Sequence, residues 1–136
     1  MNRPILLAYQ LLIGLSDTLT GALLIVAPEF TLRMMHLHPP PDALPFLSFV
    51  GAFVFSVGIA CLYGAWIVLY GGSAIRLEMI WLLTAITRSS VAIFVVSQIL
   101  ATTLESGWLT VAATDGVCVL IQAIGLSRGW IRNAAK

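Results

Sequence analysis

Charge is what this chain has least of. Only 10% of its 136 residues are Asp, Glu, Lys or Arg, where a soluble domain carries roughly 25%. The net charge is +1, too little for the cationic surface that nucleic-acid binding needs, so no nucleic-acid partner is expected. Cysteine is also sparse. Cys61 and Cys118 are the only two and form no CxxC, which excludes a dithiol redox motif and the usual zinc knuckle. At about 1.5 Å of rise per residue, Cys61 lies some 25 Å and Cys118 about 15 Å from the outer face. That gap is too large for a disulfide, whose Cα atoms approach within about 7 Å, so two inert buried thiols are expected. No soluble domain, linker or low-complexity tail is expected to carry a separate activity.

Apolar length is what the chain has in excess. It is 60% hydrophobic with a mean hydropathy of +1.00, more apolar surface than a soluble core of this size can hide, so the solvent must be lipid. Four apolar runs, near 5–27, 44–70, 77–100 and 108–127, are each long enough to cross a hydrocarbon core of about 30 Å. The pattern predicts an all-α integral membrane four-helix bundle, up-down-up-down, with residues 1–136 forming a single transmembrane domain. The first run is expected to be a retained span. It is too long for a signal-peptide core, contains Asp17 and lacks a small-x-small cleavage site.

With four spans, both termini and the second loop share one side, which carries Arg3, Arg76, Arg128, Arg132 and Lys136. The other side carries Arg33 together with Glu29, Asp42 and Glu105. Excess Lys and Arg marks the cytoplasmic face, so both termini are predicted inside. Trp66, Tyr70, Trp81 and Trp130 fall near the inner interface and Trp108 near the outer one. Pro4 suits a first helical turn. Pro28 ends the first run or starts a short interfacial helix, in which Phe30, Met34 and Leu37 recur at helical spacing over the outer surface. Pro39-Pro40-Pro41 is extended, with Asp42 as a candidate cap for the second helix and Ser73 for the third. The third loop is short, which makes the third and fourth helices antiparallel neighbours.

The second run places Ser48, Ala52, Ser56, Ala60 and Gly64 at successive i+4 positions, with Gly51 and Gly58 close by. Small residues let helix backbones approach in lipid. The partner of this face is another helix of the chain or a second subunit, in a homodimer or a larger membrane complex.

Three ionisable residues lie inside the apolar runs: Asp17 in the first, Arg88 in the third and Asp115 in the fourth. Charges at this depth are costly and mark a site when they face one another or a wet cavity. Gln10, Gly14, Asp17 and Gly21 share one helical face, as do Asp115, Cys118, Gln122 and Gly125. Counted from the inner boundary, Asp17 and Asp115 lie roughly 18 to 20 Å deep, Arg88 about 17 Å, and Gln10 and Gln122 near 8 Å. Pairing Arg88 with one aspartate relieves most of the burial cost, because the guanidinium fork fits a carboxylate. The second aspartate then remains as a neutral acid able to bind or exchange a proton. Thr84, Thr87 and Ser90 are candidates for Arg88's other donors, and the two glutamines for interhelical hydrogen bonds. A purely structural Arg–Asp pair that fixes helix register accounts for the same residues.

His36 and His38 flank the prolines of the outer loop. They are weak candidates for a metal, which needs a third ligand such as Asp42 or Glu29. Neither sits on a spanning run, so haem is not expected; no metal or other cofactor is predicted. Glu78 follows Arg76 in a first helical turn, where its charge suits the helix dipole.

The stretch GLSDTLTGALLIVAPEF, the proline-containing outer loop and VGAFVFSVGIACLYG together resemble the DoxX-like superfamily of small bacterial four-helix membrane proteins. The third and fourth runs match that layout by length alone. The resemblance implies a four-helix membrane fold and, by analogy with some members, association with a membrane oxidoreductase system; it supplies no catalytic residue. Three functions fit the sequence. One is an accessory or ligand-binding subunit of a membrane assembly. A second is an integral-membrane enzyme using Asp17, Arg88 and Asp115 for acid–base chemistry on an isoprenoid-type lipophile (epoxide hydrolysis, isomerisation or cyclisation). The third is a proton-coupled small-molecule transporter.

Overall fold

Backbone N–H and C=O groups find no partner in hydrocarbon, so a chain this apolar must satisfy them within helices. The computed structural model describes residues 2–134, and among them no strand occurs. The helices are α1 (Arg3–Val26), α2 (Pro28–Met34), α3 (Leu44–Tyr70), α4 (Ala74–Leu100), α5 (Leu109–Ser127) and α6 (Trp130–Ala134). Four helical segments are long and apolar enough to cross a membrane: Arg3–Val26, Pro41–Tyr70, Ala74–Leu100 and Ser106–Ser127. Phe46, Ile93 and Leu100 are each at least 70% exposed along these segments, a surface suited to lipid and unsuited to water. Lys136, counted among the inner-side cations, lies outside the described residues.

Helix ends follow the punctuation in the sequence, with some shifts. Pro28 starts α2. His36 ends that helix at φ 58°, with the Leu37 N–H donating to the Leu32 carbonyl at 2.9 Å. This is a Schellman turn, and its apolar pair, Leu32 and Leu37, is fully buried. Leu37 therefore leaves the face it was expected to share with Phe30 and Met34, both exposed. Thr102 closes α4 by the same motif at φ 58°, with the Thr103 N–H donating to Gln98 O. Asp42 lies within a 3-10 turn, Pro41–Ala43, that leads into α3. Ser73 occupies the N-cap of α4 without a side-chain cap bond, and the helix starts at Ala74 where the sequence suggested 77.

The chain divides into two compact units, Pro4–Tyr70 and a second made of the residues from Gly71 onward together with the N-terminal residues through Arg3. In the first, α1 and α3 run antiparallel with their backbones in contact. A methyl group added to Gly14 would meet Leu62, one on Gly58 would meet the backbone and hydroxyl of Thr18, and one on Gly21 would meet the backbone of Phe55 and Gly51. As α1 numbers rise, α3 numbers fall in step. The seam on α3 is thus Gly51, Phe55, Gly58 and Leu62, and the expected i+4 ladder is displaced from it: Ala52 and Ser56 are exposed, Ser48 and Ala60 half-buried. Steps of four residues overshoot a full turn by about 40°, so five such positions spread over about 160° of the helix. Spacings of four, three and four stay on one face, and glycine there permits the closest approach.

In the second unit, α4 and α5 are antiparallel, and α6 packs on both. The buried face of α5 is Ala112, Asp115, Cys118, Gln122 and Gly125, which contains the stripe read from the sequence. Trp81, expected at the inner interface, is fully buried with its ring against Gly125. Indole fills the space a glycine leaves, so the ring is covered by protein.

The glycine seam makes a graded prediction. Gly21→Val and Gly58→Val would push side-chain atoms into opposing backbone and should destabilise the protein by about 1–3 kcal/mol. Gly116→Ala, whose added methyl meets nothing, should be neutral or gain up to ~1 kcal/mol. Equilibrium unfolding in mixed detergent micelles measures both. Equal losses at Gly58 and Gly116 would remove close approach as the explanation.

Candidate functional site

The face of α4 that meets α5 reads Leu77, Trp81, Thr84, Arg88 and Val95. Three rungs cross the hairpin. At the first, Trp81 covers Gly125. At the second, Gln122 Nε2 donates to Thr84 Oγ1 at 2.8 Å. At the third, Arg88 Nη1 donates to Asp115 Oδ1 at 2.5 Å. The pair stands near the middle of both helices, with Arg88 4% and Asp115 9% exposed.

The middle rung has a fixed polarity. Thr84 Oγ1 donates its proton to the Ile80 carbonyl at 2.7 Å, so its oxygen is left as an acceptor. That acceptor draws the NH2 end of Gln122 and turns Oε1 away. Oε1 is buried with no hydrogen-bond partner among the described residues. In the unit Pro4–Tyr70, Gln10 is also fully buried, and neither end of its amide has a hydrogen-bond partner among the described residues. A buried unsatisfied amide costs about 1–3 kcal/mol, so each such group calls for a physical explanation.

Within the unit that holds α4 and α5, Arg88 and Asp115, two residues singled out in the sequence, are in direct contact. Asp17 belongs to the unit Pro4–Tyr70, half-buried on α1 beside the seam glycines. Thr87 and Ser90 do not serve Arg88. Both are exposed, and their hydroxyls donate to the Leu83 and Ile86 carbonyls of their own helix. Thr84 serves Gln122 instead. His36 and His38 are exposed, and among the described residues no three His, Cys, Asp or Glu side chains gather as metal ligands. Cys61 and Cys118 are both buried.

Glu78 has a role the sequence did not reveal. Arg132 of α6 donates to it through Nε and Nη2 at 2.7 and 3.1 Å. The hydrogen bond, and then the charge, of Glu78 hold the Arg132 guanidinium above its ordinary pKa. Gly129, at φ 61°, turns the chain between α5 and α6, and Ile131 is buried. The signal was a glycine stop followed by Trp-Ile-Arg, which is amphipathic over a single turn.

No protein-family model, curated protein or solved structure matches this chain.

The Arg88–Asp115 pair can be measured directly. Arg88→Leu should cost about 3–5 kcal/mol, because it leaves a buried carboxylate uncompensated. Asp115→Leu should cost a similar amount, and Arg88→Lys less. The double variant Arg88→Met/Asp115→Leu should recover most of the loss. A double-mutant cycle by unfolding in micelles checks this, and simple additivity would mean the two side chains do not act as a pair.

Proposed function

We propose that this chain is an accessory or ligand-binding subunit of an assembly in the bacterial inner membrane, with both termini cytoplasmic and a polar site at Arg88 and Asp115. The carrying observation is the buried pair with a fully buried, unfilled acceptor, Gln122 Oε1, two turns further along α5. A lipophile whose polar head enters hydrocarbon needs such groups, and a soluble domain to hold it is not required. Asp17 joins the reading on sequence grounds, as the acid whose depth in the first run matches that of Asp115. Exposed Ala52 and Ser56 on α3 support a second helix docking there, from another copy or another protein. The likeness to DoxX-like proteins supports a redox assembly. An enzyme acting on the same lipophile would use the same groups. Proton-coupled transport is less favoured, because Arg88 already compensates the Asp115 charge that a proton carrier must alternately lose and regain.

Affinity purification of the full chain from its native membrane in mild detergent should recover stoichiometric partner proteins. Recovery only as a lone monomer or homodimer would end the subunit reading.

A further inference from the structure

One end of the α4/α5 hairpin carries more cations than its acids can match. Trp81 lies against Gly125 and sets the register. Arg76 is then about 7.5 Å below that level on α4, and Arg128 about 4.5 Å below it on α5, by helical rise. The two arginines therefore share nearly one depth, and both are exposed. Arg132 sits at the same end, on α6.

The acids from Gly71 to residue 134 are Glu78, Glu105 and Asp115. Glu78 is taken by Arg132 and Asp115 by Arg88, while Glu105 lies in the loop at the opposite end of the hairpin. Among the described residues of this unit, no acidic side chain remains for Arg76 or Arg128. Arg33 on α2, by contrast, is paired with Glu29 one turn away. Beside Arg76, Ile75 is 71% and Met79 51% exposed, surface that belongs in lipid. The two arginines thus stand at one end of the α4/α5 hairpin beside exposed apolar side chains, where basic residues flanking a span meet the lipid headgroups.

We propose that Arg76 and Arg128 bind the headgroup phosphate of an anionic phospholipid, with the Arg132–Glu78 pair holding α6 beside them. Guanidinium forks match phosphate oxygens in geometry and charge. An anionic leaflet adds roughly fivefold in affinity for each arginine near its surface. A zwitterionic lipid offers the phosphate without the net charge.

The test uses the full chain in phosphatidylcholine nanodiscs titrated with fluorescent phosphatidylglycerol. Affinity should fall roughly fivefold in Arg76→Gln or Arg128→Gln and roughly 25-fold in the double variant. Arg33→Gln should leave it unchanged, and rising salt should weaken the native chain's binding. Both target residues are exposed, so the variants should fold; circular dichroism and unfolding midpoints check this. Native affinity in the double variant would overturn the proposal. So would displacement of the lipid by inorganic phosphate, which would make this a free-anion site. Loss of a co-purifying protein while lipid affinity stays native would assign the surface to an acidic protein instead.

Discussion

Helices that share a lipid solvent gain little by hiding apolar surface, because the solvent is as apolar as the side chains. What draws them together is contact at short range and the few polar bonds that can form between them. Each dispersion contact is worth only about 0.1–0.2 kcal/mol, so the seam must place many atoms at optimal distance along the whole length of a hairpin. The two hairpins of this chain meet that demand differently. Between α1 and α3, Gly14, Gly21, Gly51 and Gly58 remove side chains from the seam and let the backbones touch. Between α4 and α5, rungs of ring-on-glycine, hydrogen bond and ion pair cross the seam.

Most of the architecture was legible because helix formation in hydrocarbon depends on apolar length, which a sequence displays openly. The four long helices begin and end within a few residues of their expected bounds. The polar faces of the first and fourth runs were legible too, because spacings of three and four residues identify a face regardless of what covers it. Gln10, Gly14 and Gly21 are buried on α1, as are Asp115, Cys118, Gln122 and Gly125 on α5.

The rest depended on which of several adjacent faces meets a neighbour. On α3, small residues occur on two overlapping stripes, and only contact with α1 selects the one through Gly51 and Gly58. That Trp81 is buried follows only once Gly125 is known to stand opposite it. Thr84, Thr87 and Ser90 were equivalent candidates in the sequence. In the structure, Thr84 alone of the three is buried, and it faces Gln122. Glu78 and Arg132 are 54 positions apart, and pairing across that distance has no periodicity to reveal it.

The contrast between the seams bears on what the polar one is for. A buried ion pair is weak support for stability, since well-packed apolar residues of similar volume often hold a fold as well or better. The α1/α3 hairpin shows that this chain can join two helices by glycine packing. Stability therefore does not explain why α4 and α5 carry Arg88, Asp115, Thr84 and Gln122 on their shared face, or why Gln122 keeps a buried oxygen without a hydrogen bond. Register is a partial explanation. A single ion pair fixes the alignment of two antiparallel helices, and the Trp81–Gly125 contact fixes it again. The middle rung adds little to register and retains an unsatisfied acceptor. That excess of polar capacity at the middle rung is the feature on which the proposed ligand-binding reading rests.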